Sequence, residues 1–199
     1  MRMILKINLH LLIIICCIVL MHQPAMARSN PPEKGEILPD ATLAVPDNPV
    51  HRDYLGLSQG MTFKIPEIKA TVVIIEIFSM YCPYCQRDAP NVNNLFNMIE
   101  NNSGLKGKIK IIGIGAGNSS FEVDIFRKKY NVQFPLFPDN DFAVYKRIGE
   151  VRTPYFIALK INRDGSHKVI YSKLGGIEKA DQFLDLMLKL SELDKGGGR

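Results

Sequence analysis

Cys82-Pro83-Tyr84-Cys85 stands directly after a β-branched apolar run, Val72 to Phe78, and directly before a stretch of helical periodicity. A chain so arranged has to pass from a buried strand into a helix through the cysteine pair. The first sulfur then lies at the helix N-terminus, where unpaired backbone N–H groups and the positive end of the dipole favour thiolate. Thiolate is the form that attacks disulfides. Two cysteines three apart can also close a small ring and reopen it, and in this setting the pair is a redox signal. A permanent structural disulfide is the competing reading. It gains little, because so short a loop removes little chain entropy.

The N-terminus decides how many other thiols count. Arg2 and Lys6 precede an apolar run from Leu11 to Met21 that is followed by Ala25-Met26-Ala27. A basic start, a short apolar centre and an A-x-A ending describe a secretory signal over residues 1–27. The run is shorter than the roughly 17–25 residues of a membrane span. Membrane attachment is expected only if this segment stays uncleaved. Its removal takes away Cys16 and Cys17, leaving Cys82 and Cys85 as the only thiols of the exported chain. That excludes a disulfide framework and a four-cysteine zinc site. It also places the pair, in the periplasm or another extracytoplasmic space, where disulfides persist. The formal charge of +5 falls by the two cations lost, and no Lys/Arg run forms a nucleic-acid stripe.

The rest of the chain reads as one domain. Residues 28–35 are expected to be a flexible leader and 194–199, Gly-rich, a disordered tail. From Glu36 to Ala70 short apolar pieces alternate with Pro, Asp, Asn and Gly, suggesting extended segments or a hairpin. Thr71 to Ser79 reads as a buried central strand broken only by Glu76. Val92, Leu95, Phe96 and Ile99 form the core stripe of the next helix, which Pro90 should kink. A second strand is expected at Ile109–Ile114 and a capping box at Ser119/Glu122 opens a helix to about Tyr130. Phe134 to Asp139 reads as a short extended piece, with a brief helix over Phe142 to Ile148. Strands over Tyr155–Ile161 and Lys168–Ser172 flank an Asp164-Gly165 turn, and a last helix carries Phe183, Leu184, Met187 and Leu188. The order predicted is β-α-β-α-α-β-β-α.

With Cys82, Cys85, Pro90 and Pro154 at these places, residues 36–193 resemble the thioredoxin fold, and within it the TlpA/ResA-like extracytoplasmic branch. The resemblance implies a three-layer α/β/α domain with an N-terminal extended or hairpin extension and a central helical insertion between Gly117 and Glu150. The family's usual Trp before the first cysteine is Tyr81 here. It implies a thiol–disulfide oxidoreductase with no cofactor beyond the Cys82–Cys85 disulfide, no metal, protein thiol or disulfide substrates, an upstream redox partner protein and a monomeric state. Cys82 would attack and the more buried Cys85 would resolve the mixed disulfide. Glu76 matches the family's buried acid, which helps move the proton of the second cysteine; the alternative is an edge-strand Glu facing solvent. Thr153-Pro154 resembles the family's cis-proline, which shapes a groove for a substrate peptide. Pro83 pre-sets the first helical turn. Tyr81, Tyr84 and Met80 either line the substrate surface or pack.

Reductase and oxidase readings share all these residues. The TlpA/ResA likeness favours the reductase, while Glu76-Ile-Phe-Ser also resembles the strand of DsbA-like oxidants. A peroxiredoxin would show P-x-x-x-T-x-x-C, but Ile75 and Ser79 occupy the Pro and Thr positions. Copper carriers of this fold use CxxxC with a His, which is absent beside the motif. Gly113-x-Gly115-x-Gly117 lacks a complete dinucleotide pattern and is read as a turn. His51 and His167 are read as isolated surface residues. Asn101 and Asn118 open glycosylation-type triplets of use only in a eukaryotic secretory host.

Overall fold

A computed structural model of the chain describes residues 30–193. The expected signal segment, 1–27, and the tail, 194–199, lie outside these described residues. The centre is a five-stranded sheet ordered β5-β4-β3-β6-β7. It comprises β3 (Val72–Phe78), β4 (Ile109–Ala116), β5 (Leu136–Asp139), β6 (Tyr155–Ile161) and β7 (His167–Leu174). β3 pairs in parallel with β4 and antiparallel with β6, so every residue of β3 is buried. That is why its sequence, Glu76 apart, is continuously apolar rather than alternating.

Alternation reappears in where the side chains go. Val72, Ile74 and Phe78 pack on one face with Ala89, Val92 and Phe96 of α2 (Pro83–Glu100). The same face takes Phe126 of α3 (Ser120–Tyr130) and Phe183 and Met187 of α5 (Ala180–Ser191). Val73, Ile75 and Ile77 enter the opposite core with Val144 and Ile148 of α4 (Ala143–Ile148). That second layer is completed by Leu43 of β1 (Thr42–Ala44), Leu55 of α1 (Pro49–Leu55) and Phe63 of β2 (Thr62–Lys64). Each fully buried aliphatic side chain here contributes roughly 1.5–3 kcal/mol. The domain is therefore the three-layer α/β/α thioredoxin fold.

Three local expectations change. The segment before Ala70 does form an antiparallel hairpin, Thr42 opposite Lys64, but α1 lies within its connection. Asn48 accepts the Val50 N–H, Pro49 opens the first turn, and Gly56 closes the helix at φ 67°. Only Leu55 of α1 is buried, so no apolar stripe announced it. Secondly, the extended piece before Asp139 is a true edge strand, pairing Gly113 with Leu136. A Cβ on Gly113 would stand 2.4 Å from Leu136 Cδ2 and one on Gly117 2.4 Å from the Phe142 ring. Gly113 and Gly115 thus lie within β4 rather than in the expected turn, Gly113 letting it meet β5 closely, and Gly117 alone turns the chain after it at φ 66°. Thirdly, the end of the expected flexible leader docks on the domain: Pro32 is buried, and Gly35 N–H donates to Val169 C=O at 2.8 Å.

Several boundaries agree. The Ser119/Glu122 capping box opens α3, and the Asp164-Gly165 turn joins β6 to a β7 extended by two residues beyond Ser172. α2 runs as one helix through Pro90.

Candidate active site

Cys82 is the N-cap of α2, with extended backbone (φ −80°, ψ 115°), and Pro83 occupies the first helical turn. The cap position leaves the first N–H groups of the helix facing the sulfur. Both cysteines are free thiols, Cys82 half-buried and Cys85 buried. Burial alone would raise the Cys82 thiol. Contacts with Thr153, with the Cys85 backbone and thiol, and with the Tyr84 backbone outweigh it and hold the pKa below the ordinary thiol value. Cys85 goes the other way. Burial pushes it up; the Ser79 backbone pulls it back only in part, and negative charge on Glu76 or Cys82 raises it further. One sulfur is thus made thiolate-prone and the other kept protonated.

The two-residue period of β3 puts Glu76 on the same face as Ile74 and Phe78, the face covered by α2. Glu76 is 2% exposed, and its Oε1 finds no hydrogen-bond partner among the described residues. Burial first, then the charges of Asp88 and Cys82, raise its pKa to about 8. The alternative of a solvent-facing edge Glu does not hold, because β3 has β4 on one side and β6 on the other.

Asp88, one turn beyond Cys85, is a buried acid that the sequence reading missed. Its carboxylate accepts the Ile177 N–H at 2.9 Å and the Asn91 amide at 3.3 Å. A Cβ on Gly176 would come within 2.6 Å of that carboxylate, so the glycine is what lets the loop after β7 close over it. Asn118 was also missed. Fully buried, it accepts the Met80 N–H through Oδ1 at 2.8 Å and holds the loop that leads into the cysteines. The Gln86 amide donates to the Met80 carbonyl at 2.7 Å from the other side.

The peptide bond between Thr153 and Pro154 is cis. As a thiol, Cys82 donates to the Thr153 carbonyl at 3.2 Å, which brings this loop opposite the cysteines. Tyr81 and Tyr84 are each 64% exposed. Tyr81 donates its hydroxyl to Glu122 of α3, and the Arg87 guanidinium lies 4.6 Å over the Tyr84 ring. All eight residues expected at the site, Glu76, Tyr81 to Cys85, Thr153 and Pro154, thus fall at one end of the sheet. His51 and His167 stand apart from them and are partly buried rather than fully exposed. Among the described residues, no group of three His, Cys, Asp or Glu is placed to hold a metal ion.

The opposed thiol environments have a direct consequence. Brief alkylation of the reduced protein at pH 7 should modify Cys82 at least about 100-fold faster than Cys85, as peptide mass spectrometry would show. Equal labelling would mean that the burial and charge asymmetry does not control reactivity.

Comparison with known proteins agrees with this geometry. The pattern of the AhpC/TSA family matches residues 35–169. The thiol-disulfide oxidoreductase ResA of Halalkalibacterium halodurans is 23% identical over 131 residues, covering 65% of this chain and 69% of its own length. In fold, a secreted thiol-disulfide isomerase of Corynebacterium glutamicum superposes with a TM-score of 0.58 at 18% identity, covering 86% of this chain and 96% of its own. A secreted Mycobacterium tuberculosis disulfide oxidoreductase homologous to E. coli DsbE gives 0.52 at 16% identity, with coverages of 75% and 95%.

Proposed function

The chain belongs to the AhpC/TSA family as a thioredoxin-fold thiol–disulfide oxidoreductase, and from that premise we propose that it is an exported reductase of protein disulfides. The observation that carries the exchange chemistry is the paired environment of Cys82 and Cys85, one thiol lowered and the other raised, beside the buried Glu76 carboxyl; the reductase direction is proposed from the likeness to ResA.

In the proposed cycle the Cys82 thiolate attacks one sulfur of a client disulfide. A Cys82–client bond forms, the client S–S bond breaks, and the first client sulfur leaves and takes a proton. Cys85 then gives its proton to the Glu76 carboxylate and attacks Cys82. The second client thiol leaves, and two electrons have passed from the dithiol to the client. An upstream dithiol protein restores the reduced pair, so no other cofactor is required. Thr153 and Pro154 line the approach, with Tyr81, Pro83 and Tyr84 on the opposite side. All these groups come from one chain, so the proposed cycle needs no second copy.

Export is proposed from the signal-like segment 1–27 and from the need for a compartment in which disulfides persist. No described helix is long and apolar enough to cross a membrane. The peroxidase reading has no support at Ile75 and Ser79, and the copper-carrier reading none from the CxxC spacing.

Direction is tested by the reduction potential of the Cys82–Cys85 couple. A reductase should lie near or below about −200 mV and should catalyse insulin reduction, whereas DsbA-type oxidants lie near about −120 mV. A value close to the latter would overturn the proposed direction.

A further inference from the structure

Arg152 immediately precedes Thr153, whose carbonyl lies 3.2 Å from Cys82 Sγ. Its side chain is exposed and makes no hydrogen bond or ion pair among the described residues. Two cavities open on either side of this loop. One, of about 310 Å³, is walled by Tyr84, Pro154, Leu174 and Gly175. The other, of about 460 Å³, is walled by Tyr81, Phe142 and Tyr145. Arg152 and Thr153 line both, and among the described residues Arg152 is the only charged one that lines either.

A client sulfur bonding to Cys82 has to bring its chain alongside residues 152–154. An extended segment advances about 3.3 Å per residue. The guanidinium of Arg152 therefore reaches side chains one or two positions from the client cysteine. The neighbouring anions are already engaged. Glu122 accepts from Tyr81 and from Ser119. Asp88 points inward to the Ile177 N–H. Further along, Arg87 and Lys173 line the next cavity with Glu178 as its exposed acid. The approach to the sulfur is thus apolar in its walls and cationic at its centre, and guanidinium is the side chain best suited to a bidentate carboxylate.

We propose that Arg152 sets client specificity, selecting cysteines that have an Asp or Glu within two residues in an extended segment. The inference rests on the client-exchange reading above. It deepens that reading by naming the substrate class. The carboxylate meets an otherwise unpaired cation as the mixed disulfide forms. A lysine in the same place meets like charge, which costs rather than contributes.

The test uses reduced full-length protein and three synthetic peptides, each with one cysteine held as a methyl mixed disulfide and Glu, Gln or Lys before it. The protein dithiol is oxidised to the Cys82–Cys85 disulfide as each peptide thiol and methanethiol are released, their two protons coming from the dithiol. Rates are normalised to reduction of the same peptides by dithiothreitol, which removes intrinsic differences in disulfide reactivity. The Glu-to-Lys rate ratio should be about tenfold for the natural protein, the magnitude expected of an exposed charge pair counted as attraction against repulsion. It should fall to about one in Arg152→Gln and invert in Arg152→Glu. It should also shrink in 1 M salt, where screening acts over about 3 Å. Because the ratio is internal to each variant, partial misfolding does not alter it. A natural ratio near one, or a ratio indifferent to Arg152, overturns the proposal while leaving the oxidoreductase intact. Failure to reduce any peptide that dithiothreitol reduces would overturn the exchange reading itself.

Discussion

Cys82→Ser should lose insulin-reducing turnover by at least about three orders of magnitude, since Cys85, the other thiol among the described residues, is buried and raised in pKa. Cys85→Ala should fail differently. Its Cys82 still meets the Thr153 loop and the N-terminus of α2, so the first attack proceeds and the mixed disulfide accumulates. Non-reducing electrophoresis and mass spectrometry would then show client proteins joined through Cys82, released by added thiol. The asymmetry follows from the two environments: the half-buried N-cap sulfur is lowered in pKa, while the sulfur one turn in is buried and raised. The lowered thiol therefore yields thiolate more readily than its partner. Complexes joined through any residue other than Cys82, or substantial turnover by Cys82→Ser, would refute the assignment of roles.

The parts of this site that were legible in the sequence are those whose context is local. Cys82 follows a strand and begins a helix within a dozen residues, and Glu76 is framed by apolar neighbours on its own strand. The cis Thr153–Pro154 bond was legible only through family resemblance, because nothing in the residues around an X–Pro bond fixes its isomer. Asp88 and Asn118 were not legible. Asp88 looks like an exposed helical acid until Ile177, 89 residues away, brings its N–H to it. Asn118 looks like the start of a glycosylation triplet until Met80, 38 residues earlier, folds onto its side chain. α1 escaped for a different reason. It buries Leu55 alone, so its signals were the Asn48-Pro49 start and the Gly56 stop rather than periodicity.

Glu76→Gln should stabilise the reduced protein at alkaline pH and slow it as a catalyst. In the folded state burial raises the Glu76 pKa from 4.5 to about 8. Below the unfolded value both states carry the proton and the carboxyl contributes its full stability. As pH rises, the unfolded chain releases its proton first, so stability falls through the window and levels off above the folded pKa. The total is on the order of 5 kcal/mol for a shift of this size. Glutamine fills the same space without titrating. The urea midpoint of the natural protein should therefore fall between pH 5 and pH 8 relative to that of Glu76→Gln, with both kept reduced. Asp88 and both cysteines titrate in either protein, so the difference between the two curves reports Glu76 together with its coupling to them. The kinetic effect has the opposite sign. An amide cannot take the Cys85 proton, and resolution of the mixed disulfide should slow by about 100-fold at pH 7. The pH dependence that the natural protein shows near 8 should vanish from that step, while the first attack by Cys82 is slowed far less. A merely structural Glu76 would give the stability difference without the kinetic one. Parallel stability curves together with an unchanged resolving step would remove Glu76 from the mechanism.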